Sequence, residues 1–107
     1  MINLVLGIVL SGWILLGATS NLTYEIDPVN RNNVVITKNK FTDGEYEGNY
    51  LIKKWEISCQ DYTLRNIETS AYSKDDEFIA SRREDSPVHK VQKGSYGYKA
   101  MQEYWCK

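Results

Sequence analysis

The chain has 107 residues, of which 42% are hydrophobic and 25% charged, and its formal net charge is -1. This length accommodates one domain with a single modest core, and the composition excludes a wholly disordered chain. Because basic and acidic residues are interspersed, the basic stripe that nucleic-acid binding needs is missing, and no nucleic-acid partner is expected.

The opening apolar run, MINLVLGIVLSGWILLG, allows three interpretations. It has an apolar segment of signal-peptide length but no cationic start, so it is a weak export signal or part of a longer one. As a membrane anchor it is slightly short, carries glycines and lacks flanking Lys or Arg. Trp13 rather than a cysteine follows the small residues, which excludes a lipid anchor. The preferred interpretation is composite: residues 1–12 form a signal-peptide-like leader, and residues 13–107 form the domain, with its first strand starting at Trp13.

Five further strands are predicted by alternating or β-branched residues between turn signals. They are Leu22–Ile26, Val34–Phe41, Tyr50–Cys59, Tyr62–Tyr72 and Phe78–Ala80. In the third of these, Trp55 and Ile57 share one face with Lys53, which we expect at the sheet margin because it is charged. In the fourth, the alternation changes phase, which predicts a β-bulge near Asn66.

The C-terminal segment predicts an amphipathic helix after a polar loop. Ser95 is a good N-cap, and Tyr98, Met101, Tyr104 and Trp105 fall on one stripe at helical spacing. The predicted fold class is therefore α+β: a single antiparallel sheet of about six strands with a C-terminal helix packed on it.

Short motifs occur in a definite order over nearly the whole chain. They are Trp13, Tyr24-Glu25-Ile26-Asp27-Pro28, Val34-Val35-Ile36, Ile57-Ser58-Cys59, Tyr62-Thr63-Leu64, Tyr72, Ile79-Ala80-Ser81, Ser95 and Cys106. This layout resembles the surface-adhesin protein E family of small exported bacterial proteins. The resemblance implies a six-stranded antiparallel sheet with a C-terminal helix tied to it by a disulfide, and it makes Trp13 a domain residue.

The two cysteines, Cys59 and Cys106, are the pair that the resemblance implies to be bonded. In an exported small domain such a pair is usually oxidised, whereas two inert buried thiols are the alternative for an intracellular chain. Their spacing does not suit CxxC redox chemistry, and with one histidine a zinc site is not expected. We therefore expect neither a metal nor a cofactor.

Three groups of residues are candidates for catalysis or metal binding. His89 has no nucleophile near it in sequence, Asp75-Asp76-Glu77 lacks the spacing of a calcium loop, and Glu45 and Glu47 would need a cleft between them. Each pattern is more typical of a solvated loop or turn, so we expect no enzymatic activity.

The function expected from the residues and the resemblance is that of a non-enzymatic exported binding protein. It resembles a bacterial surface adhesin that contacts host extracellular-matrix proteins, with self-association into a homodimer through a sheet edge. The alternative is a periplasmic envelope or inhibitor protein that binds a bacterial partner. The run Arg82-Arg83-Glu84-Asp85 is expected at a solvated strand end or an interface rim. The resemblance carries over no binding residue.

Overall fold

The computed structural model describes residues 12–107, which form one antiparallel sheet followed by a short helix. The strands are β1 (Ile14–Ala18), β2 (Thr23–Ile26), β3 (Val34–Lys40), β4 (Tyr50–Ser58), β5 (Thr63–Tyr72), β6 (Phe78–Arg83) and β7 (His89–Lys90). The helix starts as α1 (Tyr96–Ala100) and continues as a π-helical segment (Met101–Trp105). The predicted sheet and C-terminal helix are present, but the fold is mostly sheet because the two helical parts have only five residues each.

The first six strands follow one another as a meander, each pairing with its neighbours in sequence. β5 is long enough to pair with β6 over Glu68–Tyr72 and with β7 at Thr63 and Leu64. The predicted sixth strand was too short, since β6 runs on to Arg83, and the polar loop predicted after it contains β7. Both differences from the prediction have one cause. The residues concerned are exposed and mostly polar, so they lack the alternation of apolar and polar residues by which a strand is recognised.

A β-bulge interrupts the pairing of β4 with β5, as predicted near Asn66. Lys54 pairs with Glu68 and Trp55 pairs with Asn66, which leaves Ile67 without a partner in β4. The Asn66 amide spans the irregularity, because Nδ2 donates to the carbonyls of Lys54 and Glu68 at 3.0 and 3.2 Å. The extra residue shifts the alternation of β5 by one position, which is the phase change visible in the sequence.

The helix begins as predicted and ends differently. The Ser95 hydroxyl oxygen accepts a hydrogen bond from the Tyr98 N–H at 3.1 Å, which caps the first turn. At the other end the Cys106 N–H donates to the Met101 carbonyl, five residues back, at 2.8 Å, so the last turn is wider than an α-helical one. The predicted apolar stripe faces the sheet, with two buried and two half-buried members: Met101, Trp105, Tyr98 and Tyr104.

The core lies between the helix and one face of the sheet, which we call the helix face. Its buried apolar residues are Ile26, Val35, Ile57, Ala100, Met101 and Trp105. Trp105 is held through both side chain and backbone: its indole Nε1 donates to the Asp27 carbonyl at 2.8 Å, and its carbonyl accepts from Asn30 Nδ2 at 3.0 Å. These bonds fix the end of the helix to the loop that follows β2.

Lys53 does not lie at the predicted sheet margin. β4 has β3 on one side and β5 on the other, so Lys53 is in the interior of the sheet, on the helix face. A charged side chain is tolerated there because Lys53 lines an open cleft beside the helix rather than the closed core.

The predicted disulfide between Cys59 and Cys106 is present, so the alternative of two free thiols is wrong. Cys59 directly follows β4, and Cys106 directly follows the π-helical segment. The bond, with a Cα–Cα distance of 5.5 Å, therefore joins the helix end to a central strand.

The predicted leader, residues 1–12, lies outside the described residues except for Gly12. Trp13 is half-buried and precedes β1, which begins at Ile14, one residue after the predicted start, and extends to Ala18. Within residues 12–107 no helix is both long and apolar enough to span a membrane. The division between leader and domain at Trp13 stays a prediction.

The disulfide is expected to contribute about 4 kcal/mol to the free energy of unfolding, because it restricts an unfolded loop of 47 residues. The double variant Cys59→Ala/Cys106→Ala should lose this amount in urea unfolding followed by tryptophan fluorescence. The parent protein under reducing conditions, which keeps both side chains and lacks the bond, is the control and should lose the same amount. An unchanged urea midpoint in the double variant would contradict the expectation.

Candidate functional site

The face of the sheet opposite the helix, here called the outer face, carries a line of aromatic side chains. Tyr50 in β4, Tyr72 in β5 and Phe78 in β6 are successive cross-strand partners, so their side chains share one face. The Tyr50 and Tyr72 rings are stacked, with centroids 5.2 Å apart and an interplanar angle of 13°. The Tyr72 and Phe78 rings meet edge to face at 5.8 Å.

Lys38 extends this line towards β1. Its Nζ lies 4.4 Å from the centroid of the Tyr50 ring and 5.5 Å from that of Trp13, which is within the range of cation–π attraction. Trp13, Lys38, Tyr50, Tyr72 and Phe78 together are called the aromatic row. Five strand spacings of about 4.8 Å make the row about 24 Å long.

The row is accessible because the helix packs on the other face. Phe78 is 61% exposed, and all six residues of β6 are exposed on both faces of the strand. Aromatic side chains are among the residue types that contribute most to protein interfaces. The outer face therefore has the chemistry of a binding surface.

Tyr50 is fixed within the row by Asp76, which lies in the turn between β5 and β6. The Tyr50 hydroxyl donates to Asp76 Oδ1 at 2.7 Å. Burial raises the pKa of Tyr50 to about 12, helped by this hydrogen bond and by the charge of Asp76. The neutral phenol is thus the favoured form, and the turn is tied to β4.

Charged pairs lie beside the aromatic row on the outer face. Lys54 Nζ is 3.3 Å from Glu68 Oε1 in the next strand, and Arg65 donates through Nε and Nη2 to Glu56 Oε1 at 3.0 and 2.7 Å. The hydrogen bond from Lys54 holds the pKa of the Glu68 carboxyl below its usual range, with a further bond from Ser81. These exposed pairs contribute little to stability, but they leave this part of the face with balanced charge.

The mixed-charge run that ends β6, Arg82-Arg83-Glu84-Asp85, is divided between the two faces of the sheet. Arg83 is the cross-strand partner of Glu68 and so lies on the outer face, whereas Arg82 pairs with Thr69 on the helix face. Arg82 donates to Glu84 Oε2 at 3.0 Å, and this bond holds the pKa of the Glu84 carboxyl below its usual range. The run lies at a strand end with Glu84 half-buried and the other three residues exposed, and it faces both ways rather than forming one rim.

The other candidate residues do not come together. His89 is exposed in β7, Asp75 and Glu77 lie in the exposed turn before β6, and Glu45 and Glu47 lie in the exposed turn after β3. Within residues 12–107 no group of three or more His, Cys, Asp or Glu side chains is placed to hold a metal ion.

The aromatic row was not predicted from the sequence. Part of the row could have been recognised, because Tyr72 and Phe78 flank a polar turn and face each other across a hairpin. The bulge at Ile79 alters the register of this hairpin by one residue, which the sequence does not indicate. Trp13 and Lys38 come from strands that are not sequence neighbours, so only the pairing of β2 with both β1 and β3 brings them together.

The pKa of Tyr50 gives a testable consequence. Asp76→Asn should lower the pKa of one tyrosine from about 12, because the accepting charge is lost, yet leave it above the usual value because burial remains. Asparagine also tolerates the positive φ of 67° at this position. Since the folded pKa is raised, the contribution of this pair to stability is present below about pH 10 and is lost as pH rises through about 12.

Absorbance titration of tyrosinate, with Tyr50→Phe to identify the transition, measures this change. Asp75→Asn, next to Asp76 in the same turn, is the matched control and should leave the titration curve unchanged. If Asp75→Asn and Asp76→Asn shift the curve equally, the hydrogen bond is not the cause.

Comparison of the chain with protein-family models, with curated proteins and with solved structures finds no match. Two features of the molecule bear on its function, the disulfide-tied fold and the aromatic row.

Proposed function

We propose that this chain is a non-enzymatic binding domain of an exported protein, and that its partner is another protein bound by the outer face. The observation that carries the proposal is the aromatic row. Stacked tyrosines offer large contact areas with few rotatable bonds, so little conformational entropy is lost when a partner binds.

The shape of the outer face favours a macromolecular partner. A standard protein interface buries about 800 Å² on each side, and such an area is available on a molecule with principal extents of 38 × 37 × 26 Å. The row runs across open sheet rather than into a cavity, and the charged pairs beside it supply a polar rim. A small molecule would leave most of this surface uncovered.

Export is supported by the disulfide. Disulfides form and persist in oxidising compartments, and a small domain with six buried apolar residues gains much from one. The sequence resemblance to surface-adhesin protein E narrows the proposal to an adhesin-like α+β domain that contacts host extracellular-matrix proteins at the cell surface. The alternative, a periplasmic protein with a bacterial partner, uses the same surface in another compartment.

β6 adds a second route to a protein partner. It is the last strand of the main path of the sheet, and both of its faces are exposed. An edge strand of this kind pairs readily with another strand, including β6 of a second copy. Self-association into a homodimer is therefore part of the proposal, and sedimentation velocity of the oxidised protein measures it.

Binding to immobilised extracellular-matrix proteins tests the proposal. The oxidised protein should bind in a saturable way, and Phe78→Ser should weaken binding about tenfold, because truncating an aromatic contact at an interface typically costs more than 1 kcal/mol. Surface plasmon resonance gives the dissociation constants.

Val88→Ser is the matched control, since Val88 and Phe78 are each 61% exposed and only Phe78 belongs to the row. Val88→Ser should keep the unfolding free energy of the parent within about 0.5 kcal/mol, because the side chain is not packed in the core. Phe78→Ser should lose about 0.5 to 1.5 kcal/mol, because its edge-to-face contact with Tyr72 is removed, and should stay folded. Equal loss of binding in the two variants would contradict a role for the aromatic row.

Protease treatment of whole cells distinguishes the surface adhesin from the periplasmic alternative. A surface protein should be degraded on intact cells at the same rate as a known surface marker. Survival until the outer membrane is broken would overturn the adhesin proposal and favour the periplasmic one. A periplasmic marker protein reports whether the cells stayed intact.

A further inference from the structure

A cleft of about 620 Å³ lies on the helix face, between the start of the helix and the sheet. This volume is within the range of about 300 to 1,000 Å³ that is typical of small-molecule sites. Its apolar walls come from β1, β2, β4, β5 and the helix: Leu16, Ile26, Trp55, Leu64, Ala100 and Trp105. The cleft is separate from the aromatic row, because the two lie on opposite faces of the sheet.

The two sides of the cleft are closed by contacts at the first helical turn. On one side the Tyr96 ring stacks on Tyr24, with centroids 4.6 Å apart, over β2. On the other side Gly97 approaches Leu64 so closely that an added Cβ would lie 3.3 Å from its Cδ1. Ala100, which also lines the cleft, has a side chain too short to fill the space between these two contacts.

One end of the cleft is polar and carries a cation. Thr37 and Lys53 are direct cross-strand partners on the floor of the cleft, so their side chains are neighbours. Within residues 12–107 Lys53 makes no salt bridge. The Thr37 hydroxyl oxygen accepts from Trp55 Nε1 at 2.9 Å, which leaves its O–H able to donate to a ligand.

The carboxylates around this end are already engaged. Glu84, whose pKa is lowered in part by Lys53, accepts from Arg82 at 3.0 Å. Glu25 also borders the cleft, but it is the cross-strand partner of Lys38, so its side chain lies on the outer face, where it accepts from Thr23 Oγ1 at 2.8 Å. The two positive charges of Lys53 and Arg82 exceed the one negative charge of Glu84, so the polar end near Lys53 carries a net positive charge. An anionic group is the complement of this charge.

The floor of the cleft does not suit a peptide. β2, β3 and β4 each have a neighbouring strand on both sides, so their backbone groups are used within the sheet and none is offered to an added strand. A hydrocarbon chain needs no hydrogen bonds and gains about 0.8 kcal/mol for each CH₂ group that it buries. The occupant that fits is therefore apolar along its length and anionic at one end.

We propose that the cleft binds a free fatty acid. The carboxylate accepts hydrogen bonds from Lys53 Nζ and the Thr37 hydroxyl, and the acyl chain runs along Trp55 and Leu64 beneath the helix. This inference does not depend on the proposed function, because the aromatic row is not used.

Laurate, added below its critical micelle concentration to the oxidised, ¹⁵N-labelled protein, is the probe. The three tryptophan indole N–H signals report on separate places: Trp55 and Trp105 line the cleft, and Trp13 lies in the aromatic row. The expected result is saturable shifts of the Trp55 and Trp105 signals with no shift of Trp13. Shifts of Trp13 alone, or no saturable shift, would overturn the proposal without affecting the proposed function.

Variants test the carboxylate contact by calorimetric titration. Lys53→Gln should weaken laurate binding about tenfold, the value of a lost charged hydrogen bond, and Lys53→Arg should keep most of the affinity. Lys54→Gln, in the same strand but on the outer face, is the matched control and should bind laurate like the parent. Dodecanol, which has the chain without the charge, should bind more weakly than laurate to the parent and equally to the parent and Lys53→Gln.

Two results would overturn the assignment of the carboxylate. One is equal weakening of laurate binding by Lys53→Gln and Lys54→Gln, which would indicate a general effect of net charge. The other is parent affinity for dodecanol equal to that for laurate, which would indicate an apolar site without anion recognition. Lys53 is half-exposed, so the variant is expected to fold, and the parent spectra test the location independently.

Discussion

The attachment of the C-terminal helix to one end of the sheet is the contact on which the rest of the structure depends. Three of the six buried apolar residues, Ala100, Met101 and Trp105, belong to this helix. Trp105 is bonded to the loop after β2, and the neighbouring Cys106 is bonded to the end of β4. A helix of this length is marginal in isolation, so packing and the disulfide hold it in place.

Because the helix is short, it covers only part of one face of the sheet. Both the cleft and the exposed aromatic row result from this partial cover. On the helix face, the sheet continues beyond the helix through Thr37 and Lys53, which leaves the open cleft. The outer face receives no helix from residues 12–107, so its aromatic side chains pack on one another across the strands. The short helix therefore leaves an apolar cleft on one face of the sheet and an aromatic surface on the other.

The parts of the fold that could be predicted from sequence are those with a local hydrophobic pattern. The alternation of Tyr50–Cys59, the phase change near Asn66 and the cap at Ser95 each depend on residues close in sequence, and each has its counterpart in the structure. The polar end of β6 and the two-residue β7 could not be predicted, because their pairing is set by the length of β5. The π-helical segment could not be predicted either, because its wider hydrogen-bond pattern does not change the spacing of the apolar residues in the sequence.

The candidate surfaces were harder to predict than the fold because they depend on long-range pairing. The charge of Lys53 predicted a position at the margin of the sheet. Only the strand order shows that Lys53 lies in the interior of the sheet, beside an open cleft. Trp13 and Lys38 are 25 positions apart, and their contact requires that β2 separate β1 from β3. A single sequence does not contain the register that brings these residues together.

The disulfide also determines how the domain transmits mechanical force. A load applied between the two ends of the domain passes from Cys59 to Cys106 through the covalent bond and bypasses the chain between these cysteines, which are 47 positions apart. At about 3.4 Å per residue, this shields about 160 Å of chain from extension. Only β1 to β4 lie in the stretched path, whereas β5, β6, β7 and the helix are carried as an unstretched loop. Under tension the domain would therefore lengthen by peeling its first four strands, and Phe78 and Tyr72 would stay within the shielded part.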